Sequence, residues 1–116
     1  MTLGEHQQAY TRDHVKLLLK AFELGYEVRK GESQRMPEMQ AIYVQTGRSK
    51  TMNSMHLKKC ADDLHFFKNG MLCYPNELGD YWEGLSPLNR WGGSWRGLIA
   101  AGRSSFNDEP HFERVC

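Results

Sequence analysis

Apolar residues recur at helical spacing near the start of the chain. They stand at positions i, i+3, i+4 and i+7, in the order Val15, Leu18, Leu19 and Phe22. This spacing predicts an amphipathic helix over residues 12–24 with the apolar stripe facing the core. Thr11 is a candidate N-cap for this helix, and Gly25 can end it in the left-handed conformation.

Runs of alternating polarity, or of residues that favour strands, predict strands further along the chain. These runs cover residues 26–29, 61–67 and 71–74. Asn69 and Gly70 separate the last two runs, and this dipeptide is typical of a tight β-hairpin. The sequence therefore predicts a small antiparallel sheet.

Two further helices and a loop complete the prediction. The helices cover residues 39–44 and 77–85, with Pro37 in the first turn of the earlier one. Residues 45–55 are polar and are expected to form an exposed loop. We expect an α+β fold in which residues 1–116 form a single domain, with the sheet packed against the N-terminal and flanking helices.

Composition and charge exclude several classes of protein. Hydrophobic residues make up 40% of the 116 residues and charged residues 25%, which is typical of a globular domain. A net charge of +1 offers no electrostatic case for binding nucleic acid. The apolar runs are too short for membrane insertion, and nothing in the sequence indicates more than a monomer.

The cysteines and the N-terminal segment indicate a cytoplasmic site of synthesis. Cys60, Cys73 and Cys116 are odd in number and contain no Cys-x-x-Cys pair, which favours free thiols in a reduced compartment. The first residues lack both a basic and an apolar stretch, so we expect no secretory signal peptide.

Two segments combine histidines with carboxylates. They are residues 54–63, Ser-Met-His-Leu-Lys-Lys-Cys-Ala-Asp-Asp, and residues 108–111, Asp-Glu-Pro-His. A catalytic zinc site uses three protein ligands of these types and leaves one position for water. Zinc lowers the pKa of such a water, and a nearby carboxylate can accept its proton. These residues make a zinc site possible, although single histidines are more often simply surface or core residues.

The order of the motifs resembles that of a known peptidase family. Ser54, His56, Ala61 and Asp63 are similar to the Ser-x-His-x-x-Gly-x-Ala-x-Asp signature of zinc D-alanyl-D-alanine peptidases. Residues 108–113, Asp-x-Pro-His-Phe-Glu, preceded by Trp-Gly-Gly-x-Trp, resemble the closing motif of the phage endolysin branch, the L-alanyl-D-glutamate endopeptidases. Upstream, Arg35, Glu38 and Gln40, followed by residues 43–49, resemble two further family segments. The resemblance covers residues 15–113.

The resemblance implies a role for each matched residue. The implied Zn²⁺ ligands are His56, Asp63 and His111, and the implied general base and oxyanion-stabilising residue are Asp108 and Arg35. Gln40 and Ser54 match positions that support the site and line the substrate cleft. Lys59 stands where the family has glycine, so the turn there must form without a left-handed glycine or must differ.

Neighbouring residues compete for several of these roles. Asp62 is the alternative to Asp63, and only one of them can face a metal because adjacent strand residues point to opposite sides. Cys60 could bind zinc but is better interpreted as a small packed residue. Glu109 and Glu113 compete with Asp108 as base, and Glu113 could instead hydrogen-bond a ligand or Arg35.

Other residues have ordinary structural interpretations. His65 could support Asp63 or simply pack on the sheet, and His14 is expected to be a solvated residue on the first helix. Trp91 and Trp95 are expected in the core, with Trp91 as a possible lining of the substrate groove. Arg48 and Lys50 could meet an anionic peptide or could be solvated loop charges.

The function implied by the resemblance is zinc-dependent hydrolysis of the L-alanyl-D-glutamate bond in the stem peptide of bacterial peptidoglycan. A phage or prophage endolysin of this kind would remain in the host cytoplasm until a holin releases it to the periplasmic wall. A D-Ala-D-Ala carboxypeptidase or dipeptidase, a non-catalytic wall- or metal-binding module, and an unrelated α+β domain remain alternatives.

Overall fold

A computed structural model describes residues 1–49, 54–94 and 108–116 of the chain. Its helices are α1 (Leu3–Glu23), α2 (Pro37–Gln45) and α3 (Asn76–Leu85), together with a 3₁₀ helix at Met55–Lys58. Its strands are β1 (Glu27–Lys30), β2 (Ala61–Lys68), β3 (Met71–Cys73), β4 (Asn89–Trp91) and β5 (His111–Arg114). The predicted α+β class is confirmed.

Strand β2 is the centre of the antiparallel sheet. One edge of β2 pairs with β1, whereas β5 and β3 pair with successive parts of its other edge. β4 then pairs with β5. The predicted hairpin between β2 and β3 is present: Asn69 and Gly70 have φ angles of 53° and 76°, which a two-residue type I′ turn requires.

The two faces of the sheet have different surroundings. On β2, Asp62, Leu64 and Phe66 are buried on the face that packs against the helices. Aromatic rings continue this core in edge-to-face contacts that run from Tyr10 through Trp82 and Phe112 to Phe66. Alternation places Asp63 and His65 on the opposite, more open face of β2.

The first helix begins nine residues earlier than the predicted start at residue 12 and buries a different face. Thr2 caps it in a capping box with Glu5, whereas the predicted cap, Thr11, lies inside the helix and donates to the Gln7 carbonyl. The predicted core stripe was wrong at three positions: the exposed fractions are 49% for Val15, 61% for Leu19 and 52% for Phe22. The buried face instead carries Tyr10, Asp13, His14, Leu17 and Ala21.

The shorter elements follow local backbone preferences. Pro37 begins α2, as predicted, because a proline in the first turn loses no helical hydrogen bond. Gly25 has a φ angle of 89° after α1, so its predicted left-handed conformation is confirmed. In the predicted loop, Gln45 ends α2, Met55 begins the 3₁₀ helix, and residues 50–53 lie outside the described residues.

β4 is an element that the sequence analysis did not predict. It has three residues, of which Asn89 and Trp91 are buried. Glu83 of α3 accepts a hydrogen bond from the Trp91 backbone N–H at 3.0 Å, which ties this strand to the helix before it. Within the described residues, none of the helices has the length and apolar character needed to cross a membrane.

Candidate metal centre

His56 lies in the 3₁₀ helix, and its ring orientation is determined by the backbone. Ser54 caps this helix by accepting a hydrogen bond from the His56 N–H at 3.3 Å. The imidazole is 2% exposed, and its Nδ1 donates to the Ser33 carbonyl at 2.7 Å. The proton is therefore on Nδ1, and Nε2 is left with a lone pair directed towards Asp63.

A carboxylate orients His111 through Nε2, whereas His56 is oriented through Nδ1. It begins β5, and its Nε2 donates to Glu113 Oε1 at 2.6 Å. Glu113 is itself held by Arg90 of β4 through two hydrogen bonds, one of them from Nε at 2.9 Å. Nδ1 of His111 is consequently the nitrogen that faces Asp63.

Strand register places Asp63 between the two imidazoles. Asp63 of β2 pairs directly with His111 of β5, so both side chains lie on the open face of the sheet. Asp63 Oδ1 is 3.4 Å from His56 Nε2 and 3.5 Å from His111 Nδ1. One candidate ligand atom from each of the three residues lies within 4.8 Å of the others.

The donor set fits a divalent metal ion, and zinc is one of the ions that such a set binds. Two nitrogens and one carboxylate oxygen are ligands of the catalytic zinc type, and each histidine has its outer nitrogen hydrogen-bonded, as metal-binding histidines usually do. Asp63 Oδ1 is buried and makes no hydrogen bond to any residue that the structure describes. A cation between the three side chains would give this oxygen a partner.

The electrostatics of the cluster favour a charged carboxylate. Burial by itself would raise the pKa of Asp63, but the adjacent His111 and His56 hold that pKa well below its usual range. Burial would lower the pKa of His111, but Asp63 and Glu113 raise it to about 9. Binding a metal at His111 therefore requires the loss of a proton from that ring.

Arg35, Gln40 and Ser54 lie together beside His56. The Arg35 N–H donates to the His56 carbonyl at 3.1 Å, and its guanidinium donates to Gln40 Oε1 at 2.6 Å and to Ser54 Oγ at 3.5 Å. Gln40 has no exposed surface and donates onward to Ser49. Its position fits support of Arg35, whereas substrate contact by Gln40 or Ser54 stays a prediction.

Asp108 lies next to the cluster because of a close backbone approach. Its N–H donates to the Gly92 carbonyl at 3.1 Å, and its carbonyl accepts from the His111 N–H at 3.0 Å. A Cβ atom on Gly92 would lie 2.2 Å from the Asp108 carbonyl oxygen, so only glycine allows this approach. The charge on Asp108 is one of those that raise the pKa of His111.

The competing carboxylates and the cysteine have other contacts. Glu113 hydrogen-bonds His111, one of its two expected partners, but pairs with Arg90 rather than with Arg35. The backbone carbonyl of Glu109 accepts from Trp91 Nε1 at 2.7 Å. Cys60 is fully buried among core residues, as expected of a packed residue.

The remaining residues for which the sequence left two interpretations open lie around the candidate metal centre, in the core or outside the described residues. His65 lies on the same face as Asp63 and its Nδ1 is 2.8 Å from the Tyr74 hydroxyl. Trp91 is in the core, as expected, and is not a groove lining, since its ring is buried between Gly79 and Gly93. Trp95 and Lys50 lie outside the described residues, whereas Arg48 rests near the Tyr43 ring.

The prediction that His14 is solvated was wrong. His14 is buried, stacks on Tyr10 and lies 3.6 Å from Asp62 on the face of β2 opposite the candidate metal centre. Its burial depends on a carboxylate 48 positions further along the chain, which helical spacing does not reveal.

The left-handed turn expected from the family pattern is present without a glycine. Lys59 ends the 3₁₀ helix with φ 58° and ψ 32°. An L-residue is strained in this conformation by about 1–2 kcal/mol. The turn leads from His56 into β2. Lys59 in place of the family glycine therefore keeps the left-handed turn that connects His56 to Asp63.

Sequence reasoning missed the residues that orient the candidate ligands and Arg35. Glu32 accepts hydrogen bonds from both Arg35 and Tyr43, and Arg90 holds Glu113. Ser33 acts through its backbone carbonyl, which carries no side-chain signal. A search for a charge complementary to Arg35 within one turn could have found Glu32, but Arg90 required the β4–β5 register.

Comparison with known proteins adds information on the fold. No protein-family model and no curated protein matches the chain. A solved structure with a similar fold is the crystal structure of Serratia marcescens L-Ala D-Glu endopeptidase ChiX. The TM-score is 0.65 at 21% sequence identity, and the match covers 97% of this chain and 85% of ChiX. The described chain therefore shares the fold of ChiX.

Proposed function

We propose that this protein is a zinc-dependent peptidase that hydrolyses the L-alanyl-D-glutamate bond in the stem peptide of bacterial peptidoglycan. The observation that carries the proposal is the convergence of His56, Asp63 and His111, with the outer nitrogen of each imidazole already hydrogen-bonded. Ordinary buried histidines do not require this arrangement, but a catalytic zinc site does. When bound, zinc would act as a Lewis acid towards a substrate carbonyl and would activate water at neutral pH.

Asp108 and Arg35 are proposed to carry out the proton and charge chemistry. Asp108 accepts a proton from the attacking water and passes it to the leaving amine, as a general base and then a general acid. Arg35 donates to the oxygen that becomes negatively charged in the tetrahedral intermediate. Glu32, Gln40 and the Tyr43 ring hold the guanidinium in place, so little reorganisation is needed during the reaction.

Two likenesses support the choice of substrate. The fold is that of ChiX, which is described as an L-Ala D-Glu endopeptidase. The segment Asp-Glu-Pro-His-Phe-Glu at residues 108–113 resembles the closing motif of phage endopeptidases with the same bond specificity. We therefore propose peptidoglycan as the partner and lysis of a bacterial host, after release from its cytoplasm by a holin, as the biological role.

Digestion of purified peptidoglycan tests the reaction, the metal and the bond together. Sacculi are incubated with the protein, with the chelated protein and with the chelated protein after zinc is restored, and new N-termini are identified by mass spectrometry. The expected result is new D-glutamate amino ends that disappear on chelation and return with zinc. Loss of terminal D-alanine would instead identify a carboxypeptidase, and absence of cleavage by folded, zinc-loaded protein would overturn the proposal.

The lysis role is tested separately in cells. The protein is expressed in a bacterial cytoplasm with and without a holin, and culture turbidity is followed. We expect a fall in turbidity only when the holin is present, because the wall is otherwise out of reach. Lysis without membrane permeabilisation would contradict the proposed dependence on release.

A further inference from the structure

Two thiols lie in contact at the end of the sheet that carries the candidate metal centre. Cys60 Sγ and Cys116 Sγ are 3.3 Å apart, and both cysteines are free. A disulfide bond has a length of about 2.05 Å, so a small rotation of the two side chains would bring the sulfurs to bonding distance. Cys60 has no exposed surface, whereas Cys116 is half-buried.

The backbone on both sides of this pair is held in place. The Cys60 N–H donates to the Met55 carbonyl at 3.0 Å, and the Cys60 carbonyl accepts from the Arg114 N–H at 2.9 Å. Lys58 Nζ donates to the Cys116 carbonyl at 3.1 Å. Because these contacts already position both residues, closing the bond requires little rearrangement of the chain.

The pair also connects the segments that carry the candidate ligands. Cys60 lies between the 3₁₀ helix with His56 and the part of β2 with Asp63, whereas Cys116 follows β5 with His111. A bond between the two cysteines would close residues 60–116 into a covalent loop. It would fasten β5 to β2 next to the Asp63–His111 pair.

We propose that Cys60 and Cys116 are an oxidation site that forms an intramolecular disulfide when the protein meets a disulfide oxidant, and that this bond stabilises the folded catalytic domain. The place where this happens rests on the proposed function, because peptidoglycan lies outside the reducing cytoplasm and a protein that acts on it is exposed to oxidising conditions. The thiols themselves, and the bond they form, do not depend on the reaction that the protein catalyses.

The chemistry is two successive thiol–disulfide exchanges. The Cys116 thiolate attacks one sulfur of a small disulfide, such as oxidised glutathione, and releases one molecule of thiol. The Cys60 thiolate then attacks Cys116 Sγ in the mixed disulfide and releases the second. One S–S bond breaks and one forms, and two electrons and two protons pass from the protein to the oxidant. Cys116 reacts first because it is the more exposed of the two, whereas Cys60 has no exposed surface and burial raises the pKa of its thiol.

Oxidation of the folded, zinc-loaded full chain tests the proposal. The protein is incubated with oxidised glutathione and then unfolded in denaturant, so that every free thiol is blocked with an alkylating reagent before intact-mass measurement and peptide mapping. We expect a loss of about 2 Da, alkylation of one thiol only, and a linked pair of peptides containing Cys60 and Cys116. The melting temperature should rise by roughly 10 °C and fall back on reduction. None of these measurements depends on hydrolysis, so they test disulfide formation even if the protein does not cleave peptidoglycan.

Two single variants provide matched controls. Cys73→Ser removes the cysteine of β3 and should still form the linked peptide and show the full rise in melting temperature. Cys116→Ser should show neither, while its melting temperature under reducing conditions should stay near that of the parent. Three alkylated thiols after oxidation, a lasting glutathione adduct on Cys116, or a linked peptide that contains Cys73 would each overturn the proposal.

Discussion

Asp62 and Asp63 are neighbours in β2, yet their carboxylates have different surroundings on opposite faces of the sheet. Asp62 is 4% exposed and accepts a short hydrogen bond from the Tyr10 hydroxyl, with His14 at 3.6 Å. Asp63 lies between His56 and His111 at similar distances, 3.4 and 3.5 Å. Both aspartates therefore have an imidazole beside them, and distance alone does not distinguish a core contact from a candidate metal centre.

The two surroundings differ in whether the ring nitrogen that points away from the aspartate has a hydrogen-bond partner. Neither nitrogen of His14 has a hydrogen-bond partner within the described part of the chain, and burial lowers the pKa of its ring. His56 and His111 each have one nitrogen bound, to Ser33 and to Glu113, which leaves the other directed at Asp63. A metal site needs this second layer of contacts, because it determines which nitrogen carries the lone pair.

The largest effect that separates the two faces is expected from Asp63→Asn. Removing the negative charge between the two histidines should abolish zinc binding, because a neutral amide is a poor replacement for a carboxylate ligand. Zinc content measured by elemental mass spectrometry should fall to background, and hydrolysis of peptidoglycan should fall below detection. A variant that keeps both zinc and activity would show that Asp63 is not a ligand.

Asp108→Asn should lower the rate of hydrolysis without removing zinc from the candidate metal centre. Loss of a general base typically lowers kcat by a factor of about 10² to 10⁴, whereas zinc should stay bound because Asp108 is not among the proposed ligands. Steady-state hydrolysis of a soluble stem peptide and zinc content are measured together. Unchanged kcat would assign the base to another carboxylate, and Glu109→Gln is the matched control.

Glu113→Gln tests whether the outer hydrogen bond of His111 matters for metal binding. The substitution keeps the shape of the side chain but removes its charge and leaves Arg90 without its ion pair. We expect zinc affinity to fall by about 10- to 100-fold, measured by competition with a chromogenic chelator. Zinc affinity equal to that of the parent would show that the outer hydrogen bond of His111 does not contribute to metal binding.

Asp62→Asn is the matching substitution on the face of β2 that packs against the helices. It should lower the stability of the protein and leave hydrolysis unchanged. Weakening a buried hydrogen bond to a charged group should lower the free energy of unfolding by about 1.5–3 kcal/mol, measured by urea titration of the metal-free protein. Zinc content and kcat should match those of the parent. Loss of zinc from folded Asp62→Asn would show that the two faces are not independent.

The smallest effect is expected at the turn that leads into β2. Lys59 has a left-handed backbone conformation, so Lys59→Gly should relieve strain and raise the free energy of unfolding by about 0.5–1 kcal/mol. Zinc content should not change, because the turn keeps its shape. A glycine that destabilises the protein would indicate that the Lys59 side chain contributes more than its strained backbone costs.

Local elements and the candidate ligands could be predicted from the sequence because their signals lie close together along the chain. Asn69-Gly70 determines a turn, and Pro37 and the pattern of residues 77–85 indicate helices through backbone preferences of a few residues. The choice of Asp63 over Asp62 as a candidate came from family spacing, and strand alternation required that only one of them face the site. The structure brings Asp63, not Asp62, to the two histidines, and its role as a ligand stays a prediction.

Contacts between distant segments could not be predicted in this way. The face that α1 buries depends on Asp62 and its bond to Tyr10, and β4 exists because β5 pairs with it and Glu83 holds it. Helical periodicity weighs each residue by its own polarity, so it favoured Val15 and Leu19 over Tyr10 and His14, which are buried beside Asp62.

The fold class, the hairpin and the residue types available for a metal follow from local patterns along the chain, because backbone preferences act over a few residues. The folded molecule adds the available nitrogen of each histidine, the position of Glu113 and Arg90 behind His111, and the contact between Cys60 and Cys116. These contacts join residues far apart in the chain, and strand register across the sheet selects their partners.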